Sequence, residues 1–143
     1  TRHAFTGATA AGTTNTVTVY TNQANNEEVR LYALAVRILD AAGSDVTTET
    51  DFALSIQVGP NNVPSNQFDI GWLAANIANG GQVMAFSTPV LCLFQQPLGV
   101  VVQVKTATTA TRSVVVDLIG ELAIQKVLSG NVAMHPYNDQ NPI

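Results

Sequence analysis

Charge is what this chain has least of. Asp, Glu, Lys and Arg together make up 11 % of its 143 residues, against about 25 % in an average soluble protein. Its four Arg and two Lys are scattered singly, so no basic stripe can be assembled to neutralise phosphates, and direct contact with DNA or RNA is not expected. A single cysteine, Cys92, excludes a disulfide within the chain. Flanked by Leu91 and Leu93, it reads as a small buried hydrophobe rather than a reactive thiol. No apolar run approaches the roughly 20 residues of a membrane-spanning helix, and no charged segment followed by an apolar one opens the sequence. The chain is therefore expected to be soluble and untargeted. Despite many Asn there is no Asn-x-Ser/Thr sequon, which argues against a glycosylated eukaryotic secreted protein.

What fills the polar positions instead is Asn, Gln, Ser and Thr. Neutral amides and hydroxyls repel neighbours of their own kind poorly, so such a surface suits a protein packed against others. It also suits an extracellular module kept soluble by uncharged groups. The apolar residues are concentrated between Pro89 and Ile124, in short Val- and Leu-rich runs: Val90 to Phe94, Val100 to Val104, and Val114 to Ile119. Branched side chains fit a pleated surface, and runs of this length bounded by Gly, Pro and Thr read as buried strands. These are the expected core strands.

The rest follows in chain order. Thr1 to Thr14 is small and polar and is expected to be an arm. Asn15 to Thr21 alternates, with Val17 and Val19 on one face, and predicts a half-exposed strand. Glu27 to Leu39 carries both helical and strand periodicities; its strand-like neighbours and the turn residues Asp40 to Ser44 favour strand. Phe52, Leu54, Ile56 and Val58 alternate cleanly, and Gly59-Pro60-Asn61-Asn62-Val63-Pro64 marks the end of that strand. Ala74, Ala75 and Ala78 predict a short helix within 68–81, with Asp69 as a possible cap and Asn79-Gly80-Gly81 as its stop. A strand over 82–87 is expected to be closed by Thr88-Pro89. The last strand continues to Ile124, with Gly120 a candidate bulge. Ser129 to Ile143 turns polar and reads as a tail.

The sum is an all-β domain: an antiparallel β-sandwich or jelly roll of about eight strands over residues 15–128, with one short helix and extended polar termini at 1–14 and 129–143. Valine-rich strands, very low charge, Thr/Ala/Asn-rich loops and polar arms together resemble the small jelly-roll decoration or cement proteins of tailed-phage capsids. The resemblance implies a structural role on the virion: oligomers, often trimers, seated on the outer capsid surface over junctions between major capsid subunits, with terminal arms bridging neighbours. It carries over no family residue and implies no cofactor.

Candidate chemistry is sparse. The two histidines, His3 and His135, both lie in expected arms, so a Ser-His-Asp triad or a His-based metal site would need both tails in one pocket. Asp51, Asp69, Asp117 and Glu121 are isolated carboxylates. Asp117 stands out inside an apolar run, as a solvent-facing position or a partner for Arg37 or Arg112. Lys105 and Lys126 have no feature selecting them for an isopeptide bond. An enzyme is not expected, and neither a metal nor another cofactor. The partner-binding candidates are Met134, His135, Pro136 and Tyr137, whose aromatic ring and thioether could anchor the tail on a neighbouring chain. The alternative of a different class is a carbohydrate-binding or adhesive β-sandwich, for which Tyr20 and Trp72 would form a small sugar platform.

Overall fold

A computed structural model describes residues 1–21, 27–75, 83–93 and 95–124. Two four-stranded sheets face each other. The strands are β1 (Arg2–Phe5), β2 (Thr14–Thr21), β3 (Glu27–Leu39), β4 (Phe52–Val58), β5 (Asn61–Asp69), β6 (Val83–Cys92), β7 (Pro97–Val104) and β8 (Arg112–Ile124); one short helix, α1 (Gly71–Ala75), follows β5. One sheet has the order β1-β8-β3-β6, the other β2-β7-β4-β5. The pairings are nested and antiparallel: β1 with β8, β2 with β7, β3 with β6, β4 with β5. A hairpin folded at the β4–β5 turn and then rolled, so that β3 also pairs β8 and β4 also pairs β7, gives this order. It is the jelly-roll connectivity.

Period-two alternation builds the core. Leu34, Val36 and Ile38 on β3 lie opposite Leu118, Val116 and Val114 on β8 and point inward. From the other sheet, Leu54, Ile56 and Val58 meet them beside Leu98, Val100, Val102 and Val104, all buried. Each fully buried Val or Leu contributes about 1.5–3 kcal/mol by leaving water, so the apolar block identified in the sequence is the centre of the fold. The ambiguous Glu27 to Leu39 segment is one strand throughout.

Four expectations are corrected. The first residues are not an arm: Arg2–Phe5 is a strand on β8, and Phe5 crosses to Phe52 with ring centroids 5.6 Å apart. Its apolar content is too small to stand out, because half of the inward face is a histidine. The turn expected after Val58 shrinks to Gly59 and Pro60, and Asn61–Asp69 forms β5. That strand is an edge, and its many amides face water. Thr88-Pro89 does not separate two strands, for both residues lie within β6, inside a break in register between Ala85 and Val90. Asp69 is the last residue of β5 rather than a helix cap, and the described helix begins two residues later; residues 76–82 of the expected helix lie outside the described residues.

Gly120 sits at a bulge, as expected, but the extra residue is on the partner strand. Between Leu31 and Ala33, β3 inserts Tyr32 while β8 passes directly from Gly120 to Ile119. A Cβ at position 120 would lie 2.2 Å from the Arg30 carbonyl oxygen. Only glycine leaves room for that strand to close.

Candidate functional site

The sandwich has two ends. At one lie Leu39, Phe52, Val104 and α1; at the other, β2 and β8 finish while β3 and β7 begin. Exposed apolar side chains gather at the second end. Along the inward face of β8 burial decays steadily: Val116 is fully buried, Leu118 half-buried, Leu122 47 % exposed and Ile124 64 % exposed. The strand runs on past the cover of the facing sheet. Val19, the residue at the irregularity of β2, is also exposed there, as are Leu91 and Leu93 at the end of β6. Between these strands is an open hollow of about 250 Å³, walled by Val19, Tyr20, Val29, Leu31, Leu98 and Leu122.

A polar rim surrounds the hollow. The Tyr20 hydroxyl donates to Glu27 Oε2 at 3.0 Å, and the Tyr32 hydroxyl donates to Glu121. These bonds favour the neutral phenols and raise both tyrosines above their usual range. Arg30 donates to Glu28, and its other end lies 3.7 Å from Glu121. Arg30 thus stands between two carboxylates, and Glu27 and Glu121 each accept a phenol hydroxyl. Such exposed pairs contribute little to stability in water; an apolar centre with polar groups at its edge is also the general layout of protein interfaces.

Beneath it, Cys92 is fully buried, its thiol pushed up by desolvation and directed at the Gln96 carbonyl oxygen at 3.4 Å. It is a packing residue, as its leucine neighbours indicated.

The residues singled out from the sequence are not brought together. Met134, His135, Pro136 and Tyr137 lie outside the described residues, whose last member, Ile124, ends β8 two residues beyond Leu122. Tyr20 is opposite Leu98 at the start of β7, whereas Trp72 follows a β5 end that registers, through Ala53, with Gln103 at the finish of β7. Five strand residues, about 17 Å, separate those positions, so the two aromatics form no common platform. His3 is buried between the sheets at the β1–β2 edge, with Nδ1 3.1 Å from Asn15 Oδ1. Desolvation lowers its pKa, and among the described residues its ring bonds Thr1 and Asn15. Asp117 is solvent-facing; Arg37 pairs instead with Asp45 at 2.9 Å and Arg112 with Glu49 at 2.7 Å. Among the described residues no three His, Cys, Asp or Glu side chains come together as a metal site.

The hollow itself was not anticipated. A signal for it exists in Leu118, Leu122 and Ile124, whose even spacing carries the apolar inward face of β8 on to the strand's last residue. Neither a protein-family model nor a curated protein matches the sequence.

Proposed function

We propose that the protein is a structural component of a virus particle, a decoration or cement subunit that binds the outer capsid lattice through protein–protein contacts. The observation that carries this reading is the gathering of exposed Val19, Leu91, Leu93, Leu122 and Ile124 around one end of a jelly roll. An apolar end of this kind gains about 25 cal/mol for each Å² it removes from water. The partners are further copies of the chain, with a trimer favoured, and the major capsid protein or another virion subunit. Neither nucleic acid nor a membrane has a matching surface in this reading. The nested connectivity and the low charge support it as well, and separation of Tyr20 from Trp72 weighs against the glycan-binding alternative.

Light scattering of the purified protein, followed by co-sedimentation with capsids, tests the reading. The wild type is expected to form a closed oligomer that pellets with the particles. The double variant Leu122→Arg, Ile124→Arg should become monomeric and stay in the supernatant while keeping the wild-type far-UV circular dichroism, losing only the stability that association itself supplies. Deleting residues 129–143, and with them Met134 to Tyr137, should weaken attachment and leave the fold intact. A wild type that remains monomeric and ignores capsids, or an arginine variant that binds as before, defeats it.

A further inference from the structure

At the edge of the sandwich remote from β1 and β2, the two outer strands β5 and β6 face each other, and both lose register at the same place. As β4 advances from Leu54 to Ile56, its partner on β5 moves from Phe68 to Val63. As β3 steps from Ala33 to Leu31, its partner on β6 moves from Ala85 to Val90. Each edge strand therefore spends five residues where its neighbour spends two, and residues 64–67 and 86–89 leave the ladders. Bulges and prolines commonly protect strand edges from pairing with other chains, and Pro64 and Pro89 fit that role. Protection does not require the two breaks to lie opposite one another, nor to open onto the core. Here they do both.

Between them is a cleft of about 380 Å³ that reaches down to the buried Ile56, with Val63, Met84 and Phe86 in its walls and Ser87 and Thr88 at its rim. Among the described residues no ionisable side chain lines it. The volume falls in the range of small-molecule sites, roughly 300–1,000 Å³, which are mostly apolar with a few polar groups that fix orientation. An ionised ligand would lose its hydration here without gaining a counter-charge, which excludes carboxylates and amines as good occupants. An extended peptide strand is disfavoured too, because the prolines and the broken register deny it a continuous edge to pair with.

We propose that the β5–β6 cleft is a binding site for a neutral, apolar small molecule of the long-chain alcohol or ester class, its hydrocarbon against Ile56, Val63, Met84 and Phe86 and its single polar end at the Ser87 and Thr88 hydroxyls. The site is independent of the apolar end described above. It places a ligand within the edge of the domain, where occupancy would tie one sheet to the other.

The test is a fluorescence titration of the full chain with N-phenyl-1-naphthylamine, a neutral apolar dye. Saturable binding is expected, with displacement by 1-decanol and methyl decanoate and displacement about tenfold weaker by decanoate and decylammonium. Val63→Glu, at a partly exposed wall position, should weaken dye binding by about tenfold or more. Should that variant fail to fold, Thr88→Arg on the exposed rim gives the same reading. Leu122→Glu, in the hollow at the end of the sandwich, serves as the contrast and should leave the dye affinity unchanged. Absence of saturable binding overturns the proposal, as does equal displacement by the charged chains. So does a loss of affinity confined to Leu122→Glu, which would put the dye in the other hollow.

Discussion

Histidine 3 shows how a single residue can be visible in the sequence and still be misplaced. As one of only two histidines it invited a search for catalytic or metal partners; in the fold it fills the inward face of β1 and spans the gap to Asn15 on the other sheet. Burial outweighs the bonds to Asn15 and lowers its pKa below 6.5. The neutral ring is thus the form that the folded state holds. In the unfolded chain the ring takes up a proton as pH drops through about 6.5, while the folded ring does so only at lower pH. Stability from this group is complete above that value and is lost as pH falls below it. Denaturant unfolding across this range should show wild-type stability declining with acid and a His3→Gln variant declining less. Identical slopes would show that the ring protonates freely in the folded protein.

Elements were legible in proportion to how much of their inward face is aliphatic. β4, β7 and β8 alternate Val, Leu and Ile against polar residues or are apolar throughout, and they stand where the sequence placed them. β1 and β5 were missed for one physical reason: an edge strand needs only two or three inward apolar residues, and these carry too few to mark a period. Phe5 in β1, and Val63 and Phe68 in β5, are all that each supplies beside polar neighbours. The break in β6 misled in the opposite sense, since Pro89 sits in a register gap where its missing N–H costs nothing. Whether β1 is an integral strand or an appended one can be measured directly. Phe5→Ala removes a buried ring packed on Phe52 and should cost about 3–5 kcal/mol in urea unfolding. A change under about 0.5 kcal/mol, typical of exposed sites, would return residues 1–5 to the status of an arm.

For the whole molecule, composition carried more information than any motif. Low charge and amide-rich loops pointed to a surface meant for contact, but the place of contact depends on where β8 outruns its cover, and that is decided by the relative lengths of strands in two different sheets. No periodicity within one strand reports it. The same composition fixes how association should respond to salt. With Arg30 held by Glu28 and Glu121, and Glu27 bonded by the Tyr20 hydroxyl, the proposed contacts between copies would rest on apolar area rather than on ion pairs. Raising sodium chloride from about 0.05 to 0.5 M, which shortens the screening length several-fold, should leave the mass measured by light scattering unchanged, and sulfate should strengthen it. Dissociation in sodium chloride would instead identify ion pairs between subunits.

The nested pairing also sets a timetable for the newly made chain. Its innermost hairpin, β4 with β5, can close as soon as a short stretch leaves the ribosome, but β1 finds β8, its only strand partner among the described residues, across most of the described chain, with Arg2 opposite Val115 and Phe5 opposite Arg112. Until β8 has been synthesised, β1 lacks the ladder that holds Phe5 against Phe52. Closing so long a loop is slow. Pairing of β1 with β8 is therefore expected late in folding, and during translation a nascent chain lacking β8 would hold Arg2–Phe5 without that ladder, open to chaperones and proteases.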